Sequence, residues 1–294
     1  MRTLAPVTAV GLVLVLVFLP LLLHFGQKGH NRIEIAALPG GENYAPGAHF
    51  GYAAARIMEH ELDGTTGWRP NDLMLWGPRL AADNNANRQL GILQALRETL
   101  RIFKDELTKV SNDAYDKNLV AADNLLRNDP DKWAFPSAES RYGEAVQRLD
   151  DYVAGLQGPA PSSRPIITRN TELIALLDEW NKLLGGAHAD MYATDTDWFA
   201  VDDVFYRATG YCHVIANMLP TIELEYQPEL ASREGMQALF KELHPPLARC
   251  AVIKPIYTFN GRDSGMLANQ RRNLDSYINE ARQKIYTLRD ALRT

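Results

Sequence analysis

From Leu4 to Leu23 the chain is almost wholly apolar, and no later stretch repeats that pattern. A run of about 20 apolar residues is the length of helix that crosses a bilayer, so residues 1–26 read as an N-terminal membrane anchor. The competing reading is a cleaved secretory signal, whose apolar core is about 7–15 residues with small residues at the cleavage site. Here the core is longer and is followed by Leu21, Leu22, Leu23, His24 and Phe25, which favours an uncleaved span. Gly11 and Pro20 are compatible with a membrane helix. Residues 27–47 are rich in Gly, Pro and polar side chains and read as a linker. Residues 48–294 read as a helical domain that faces water.

Within that domain the apolar positions recur with the helical period. A short helix is expected from about His49 to Leu62, stopped by the turn residues DGTTG. Gly67–Pro78 (GWRPNDLMLWGP) reads as a packed corner or an interface, with Asn71 or Asp72 capping a short helix and Trp68 and Trp76 as anchors. From about Asn84 to Val110 the residues Leu93, Leu96, Leu100, Phe103, Leu107 and Val110 form a heptad seam. Further helices are expected to about Arg127, from Ser137 to about Leu156 and from Thr168 to Leu184, the last ended by Gly185-Gly186. Another is expected over Val201–Leu219, with Pro220 just past its end, and one from a cap at Ser232 to about Leu243, which Pro245-Pro246 kinks or restarts. Pro255–Gly261 is the most strand-like stretch. The last helix, about Ser264–Arg293, carries a second seam (Leu267, Leu274, Ile278, Ala281, Ile285, Leu288, Leu292) with Arg271 at an inner position. Two such seams fit an antiparallel pair within one bundle, or a coiled coil between copies. Gly158–Pro165 (GPAPSSRP) is the clearest internal break, either a domain boundary or a loop over the bundle. The fold class predicted is all-α.

Charge changes the picture little. Without residues 1–26, whose charged side chain is Arg2, the remaining 268 residues carry 30 basic and 36 acidic side chains. That balance argues against nucleic acid as a partner. Residues 262–294 run the other way, with seven basic and four acidic side chains. Arg2 and the terminal amine precede the span, while Lys28 and Arg32 follow it, so the positive-inside rule is nearly balanced. A very short N-terminus translocates little, which predicts a periplasmic domain.

Candidate chemistry is sparse. Cys212 and Cys250 are the two cysteines. They are either a disulfide tying two helices, if the compartment is oxidising, or two buried thiols. No CxxC, HExxH, GxSxG, P-loop or dinucleotide motif occurs. The densest ionisable segment is His188–Asp203. His188, Asp190, Asp195 and Asp197 are its metal-ligand candidates, but they lack calcium-loop spacing, and the aspartates serve equally as helix caps. No cofactor is expected.

The apolar N-terminus, WRPND at Trp68–Asp72, LAADNNANRQLGILQALRETLR at Leu80–Arg101 and TDTDWFAVDDVFYRATGY at Thr194–Tyr211 together resemble a proteobacterial family of single-pass inner-membrane proteins of unknown function. The resemblance spans nearly the whole chain and implies an inner-membrane setting. It brings no catalytic residues. The expectation is therefore an anchored periplasmic protein, bound to the bilayer through residues 4–23. It would act as an accessory, assembly or scaffold subunit with other envelope proteins or with copies of itself, using Trp68, Trp76 and the exposed side of the last helix. The alternative is an envelope hydrolase or a ligand sensor built on residues 190–203.

Overall fold

The computed structural model describes residues 8–15, 18, 33, 35, 36, 38, 39, 44–64, 67–71, 83–108, 115–192, 198–253 and 270–293. Residues 8–15 are helical. Beyond them the helices are α1 (Ala48–Asp63), α2 (Asp83–Ile102), α3 (Lys117–Leu126), α4 (Ala138–Gly155) and α5 (Asn170–Tyr192). They continue as α6 (Trp198–Glu225), α7 (Gln227–Ala231), α8 (Met236–Lys241), α9 (His244–Val252) and α10 (Gln270–Arg293). Among the described residues no strand forms; a single antiparallel bridge joins Tyr44 to Gln157. The all-α expectation holds.

Local chemistry sets several boundaries. The Asp116 carboxylate caps α3 by accepting from the backbone N–H groups of Asn118 and Leu119. Ser137 caps α4 through Ser140 N–H. Pro245 and Pro246 occupy the first turn of α9, where a missing N–H costs nothing. After α2 the helix widens into a π turn over Phe103–Leu107, closed by Thr108 N–H to Phe103 O at 3.1 Å. Both Phe103 and Leu107 stay fully buried through it.

The organising contact is the crossing of α2 and α6. A Cβ on Gly91 would collide with the backbone oxygen of Arg207, and one on Gly210 would collide with that of Arg88. The two backbones thus touch at two reciprocal glycines. α1 lies against both α4 and α6, α3 against α4, α5 against α6 and α10, and α9 between α6 and α10. Phe50 on α1 packs at a tilt against Phe103 at 4.1 Å between ring centroids, and Phe103 meets Tyr152 of α4 edge-on. The Glu225 side chain, at the end of α6, accepts from His49 N–H at 2.9 Å and so caps α1. Burial pushes the Glu225 carboxyl above its ordinary value, and the N–H groups of Gly47, His49 and Phe50 pull it back in part.

Several sequence expectations are corrected. α5 does not stop at Gly185-Gly186; it runs on to Tyr192. Gly185 is small because the Arg282 guanidinium of α10 lies against it, 3.3 Å from where a Cβ would stand. α6 does not stop before Pro220 but continues to Glu225, its last turn held by the contact with α1. Ser232 does not begin a helix. It ends α7, donating to Glu229 O, and α8 starts at Gly235, whose φ of +77° suits glycine. The described apolar positions of both heptad seams are buried, but the two helices do not pair with each other: α2 packs on α6, and α10 packs on α5 and α9; Val110 and Leu267 lie outside the described residues. Trp180 of α5 reaches α2, donating from Nε1 to the Thr99 hydroxyl at 3.0 Å. The strand-like stretch Pro255–Gly261, the residues before 270 in the last helix and most of the apolar N-terminus lie outside the described residues. No helix among the described residues is long and apolar enough to cross a membrane.

Segment 157–169 is tied to several helices. Tyr152 donates to Arg164 O, Arg164 N–H donates to the Asp116 carboxylate, Ile166 N–H to Pro46 O and Ile167 N–H to Leu107 O.

The crossing makes a direct prediction. Gly91→Ala should destabilise the fold by about 1–3 kcal/mol through overpacking. Gly186→Ala, on an open helix surface with nothing within 4 Å of the new Cβ, should be neutral or stabilising by up to about 1 kcal/mol. Urea unfolding followed by circular dichroism measures both; equal effects would contradict the close crossing.

Candidate functional site

The bundle has two distinct ends. The chain enters at Tyr44, beside Gln157, just past the end of α4. α4 is 18 residues long, so its start lies about 27 Å away at 1.5 Å per residue. At that far end sits the loop 127–137, which connects α3 to α4.

This loop is held by buried and half-buried groups from three directions. Trp68, 2% exposed, donates from Nε1 to Pro130 O at 2.9 Å and meets Tyr142 edge-on with ring centroids 5.0 Å apart. The Asn71 amide donates to Lys132 O at 3.2 Å and to the Glu139 carboxylate at 2.8 Å. Arg97 donates to Leu126 O and Asn128 O, and the Tyr142 hydroxyl donates to Asn128 O at 2.9 Å. Burial pushes the Tyr142 phenol well above its ordinary value, so it remains a donor across the physiological range. From the start of α4, Ala138 N–H donates back to Lys132 O at 2.8 Å.

What this bracing presents is aromatic. Trp133 is 62% exposed and Phe135 fully so. Large apolar side chains in water gain nothing from a rigid support in the isolated chain, whereas binding surfaces are rich in Trp and Phe anchors held at low entropic cost. The sequence reading put the anchors at Trp68 and Trp76. Trp68 is an interior residue, as the packed-corner reading of Gly67–Pro78 has it; the contact role given to it is corrected to support, since its indole lies inside and donates to the Pro130 carbonyl. Trp76 lies outside the described residues. Asn71 braces the loop across the chain. Trp133 and Phe135 were missed; the signal was DPDKWAFPS, two aromatics between prolines in a segment too short and polar to bury them.

Beneath this end of the bundle runs a buried polar layer. Arg88 donates from Nη2 to both oxygens of Glu61 at 2.7 and 2.8 Å, and from Nε to Asn85. Both ion-pair side chains are 2% exposed. Gln89 donates to Glu61 O and Gly67 O and accepts from Arg69 N–H. Asn87 donates to Asp203 at 2.6 Å, which links α2 to α6.

The described residues of the acidic segment do not converge on one another. His188 turns to α10, where Nδ1 stands 2.6 Å from the buried Asp275 carboxylate, with Asn279 donating to the other Asp275 oxygen at 3.1 Å. Asp190 is exposed, and Asp195 and Asp197 lie outside the described residues. Among the described residues no three His, Cys, Asp or Glu side chains gather as a metal site would require. Cys212 and Cys250 are free, fully buried thiols. Burial pushes the Cys250 thiol well up, and its hydrogen bond with Cys212 adds to the effect. At the entry end, a cleft of about 300 Å³ opens between Ile33, Ile35, Leu38, Tyr52, Pro220 and Leu224.

Residues 9–194 and 186–294 match the family described as "Uncharacterized protein conserved in bacteria (DUF2333)". No curated protein matches the chain, and no solved structure does.

The bracing is testable. Trp68→Phe keeps an aromatic side chain, though a smaller one, but removes the donor to Pro130 O, and should raise amide exchange rates in residues 129–137 by about 5–30-fold, the equivalent of about 1–2 kcal/mol. α2 and α6 should be unchanged. Exchange measured by mass spectrometry reads both; an unaltered loop would show that Trp68 does not hold it.

Proposed function

The chain belongs to that bacterial family, and we propose that it is a membrane-anchored helical accessory or scaffold subunit of an envelope protein complex, fixed to the inner membrane by residues 4–23 with its bundle in the periplasm. The observation that carries the protein-binding half is the braced loop with Trp133 and Phe135 in water at the end remote from the chain's entry. The anchoring half rests on the apolar run in the sequence and on its described part. Residues 8–15 are helical and wholly exposed, with Val10, Leu12, Val13, Leu14 and Val15 between 49% and 62% accessible. An exposed apolar helix of this kind needs lipid or another apolar cover. The linker then stands the bundle off the bilayer, and the loop faces away from it.

Fractionation and native electrophoresis test the reading together. The full chain should remain with membranes after alkaline extraction, be cleaved by protease added to spheroplasts, and migrate in mild detergent as part of a larger assembly. Release by alkaline extraction, or migration as a free monomer, would contradict it.

A further inference from the structure

We infer that His188 and Arg282 bind a phosphate group that keeps a proton, on the rim between α5 and α10. The site is independent of the anchored-subunit reading and lies apart from the aromatic loop.

The two helices run antiparallel along this rim: Asp178 meets Arg289, Gly185 meets Arg282 and His188 meets Asp275. Asp275 is 3% exposed and accepts from His188 Nδ1 at 2.6 Å. A buried carboxylate on Nδ1 keeps the proton there and leaves the Nε2 lone pair for a ligand. The imidazole is one-third exposed, with the Tyr192 ring 5.0 Å away, and Nε2 has no partner among the described residues. Both Asp275 oxygens are taken, one by His188 and one by Asn279. A metal ion at Nε2 would therefore find no carboxylate among the described residues to share it.

Arg282 supplies the charge. The arginines near it along α5 pair with acids, Arg101 with Glu98 and Glu179, and Arg289 with Asp178 and Asp290. Arg282 pairs with no acid among the described residues; its contacts are the Asn279 amide oxygen, 3.4 Å from Nη1, and the Tyr286 hydroxyl. Gly185 gives the guanidinium its place, with Nη2 3.3 Å from where a Cβ would stand. Glycine inside a helix weakens it relative to alanine, and what fills the space here is a cation without a counter-charge. Gly185 and His188 are one turn apart on α5, and the Asn279 amide touches both Arg282 and the imidazole, 3.2 Å from Nδ1. The open acceptor and the uncompensated donor are thus neighbours.

A group that complements both has a charged oxygen for the guanidinium and an O–H for Nε2. Inorganic phosphate near neutral pH has both, and so does a phosphate monoester with one proton left. Sulfate has the shape and the charge but no proton to give. Guanidinium–phosphate bonds are charge-assisted and directional, so Arg282 fixes the anion and His188 selects its protonated form.

The test follows the ring nitrogens of isotope-labelled histidine in the full-length chain in detergent micelles by nuclear magnetic resonance, with His188 identified by the signals lost in His188→Gln. Sodium phosphate at neutral pH should shift the His188 Nε2 signal saturably. Sodium sulfate at equal ionic strength should bind at least about 10-fold more weakly, because it leaves Nε2 unbonded. Arg282→Gln should weaken phosphate binding at least about 5-fold with the circular dichroism unchanged. Arg289→Gln, at a guanidinium already paired, should change it by less than about 2-fold. Nanodiscs of phosphatidylcholine with and without phosphatidic acid separate the sources. A shift caused by phosphatidic acid alone assigns the phosphate to a lipid headgroup, and a shift that needs added phosphate assigns it to a soluble molecule; both uphold the site. Equal binding of sulfate, no saturable shift with phosphate, or indifference to Arg282→Gln would overturn it.

Discussion

Everything in the bundle is arranged around one contact, the crossing of α2 and α6 at Gly91 and Gly210. Two backbones in van der Waals contact leave no slack for either helix to slide or rotate. The residues flanking that crossing then fall into fixed partnerships: Arg88 with Glu61 of α1, Asn87 with Asp203, and Gln94 with the Tyr211 hydroxyl at 2.6 Å. Position in α2 thereby dictates the height of α1, and α1 dictates that of α4 through Phe50, Phe103 and Tyr152.

The buried Glu61–Arg88 pair is better understood as a constraint than as a source of stability. Taking two charges out of water cancels most of what their attraction returns. A slipped register, however, would leave one of them buried alone at a cost of about 3–5 kcal/mol. Glycines that permit contact in one register and charges that penalise the others act in the same direction. The result is a stiff strut, with a cap from Glu225 at one end of α1 and the support from Trp68 just beyond its other end. Stiffness is what gives an exposed loop a defined shape, and so the interior packing bears directly on the surface proposed to bind.

Much of this was legible in the residues, though unevenly. The heptad positions of α2 and α10 are buried as their spacing required, since period alone reports which face turns inward. Which partner each seam meets is a tertiary choice, and α5 intervenes where a direct pair was expected. Glycine and proline misled where packing outweighed local preference: Gly185 makes room for Arg282, and the turn after Pro220 is retained because Glu225 caps α1. Aromatic residues carry the sharpest lesson. Trp68 and Trp133 are equally conspicuous in the sequence, yet one is buried and one is in water. What separates them is the carbonyl of Pro130, a partner that no linear pattern reveals.

The account stands or falls on where the aromatic loop lies relative to the bilayer. A nitroxide attached at Phe135→Cys would report it, in the full chain reconstituted into lipid nanodiscs, since Cys212 and Cys250 are buried and escape labelling. Collision rates with a water-soluble nickel chelate should be high, and those with oxygen dissolved in lipid low. The reverse pattern, with oxygen collisions dominant, would place the loop in the membrane and contradict a surface held out for a protein partner.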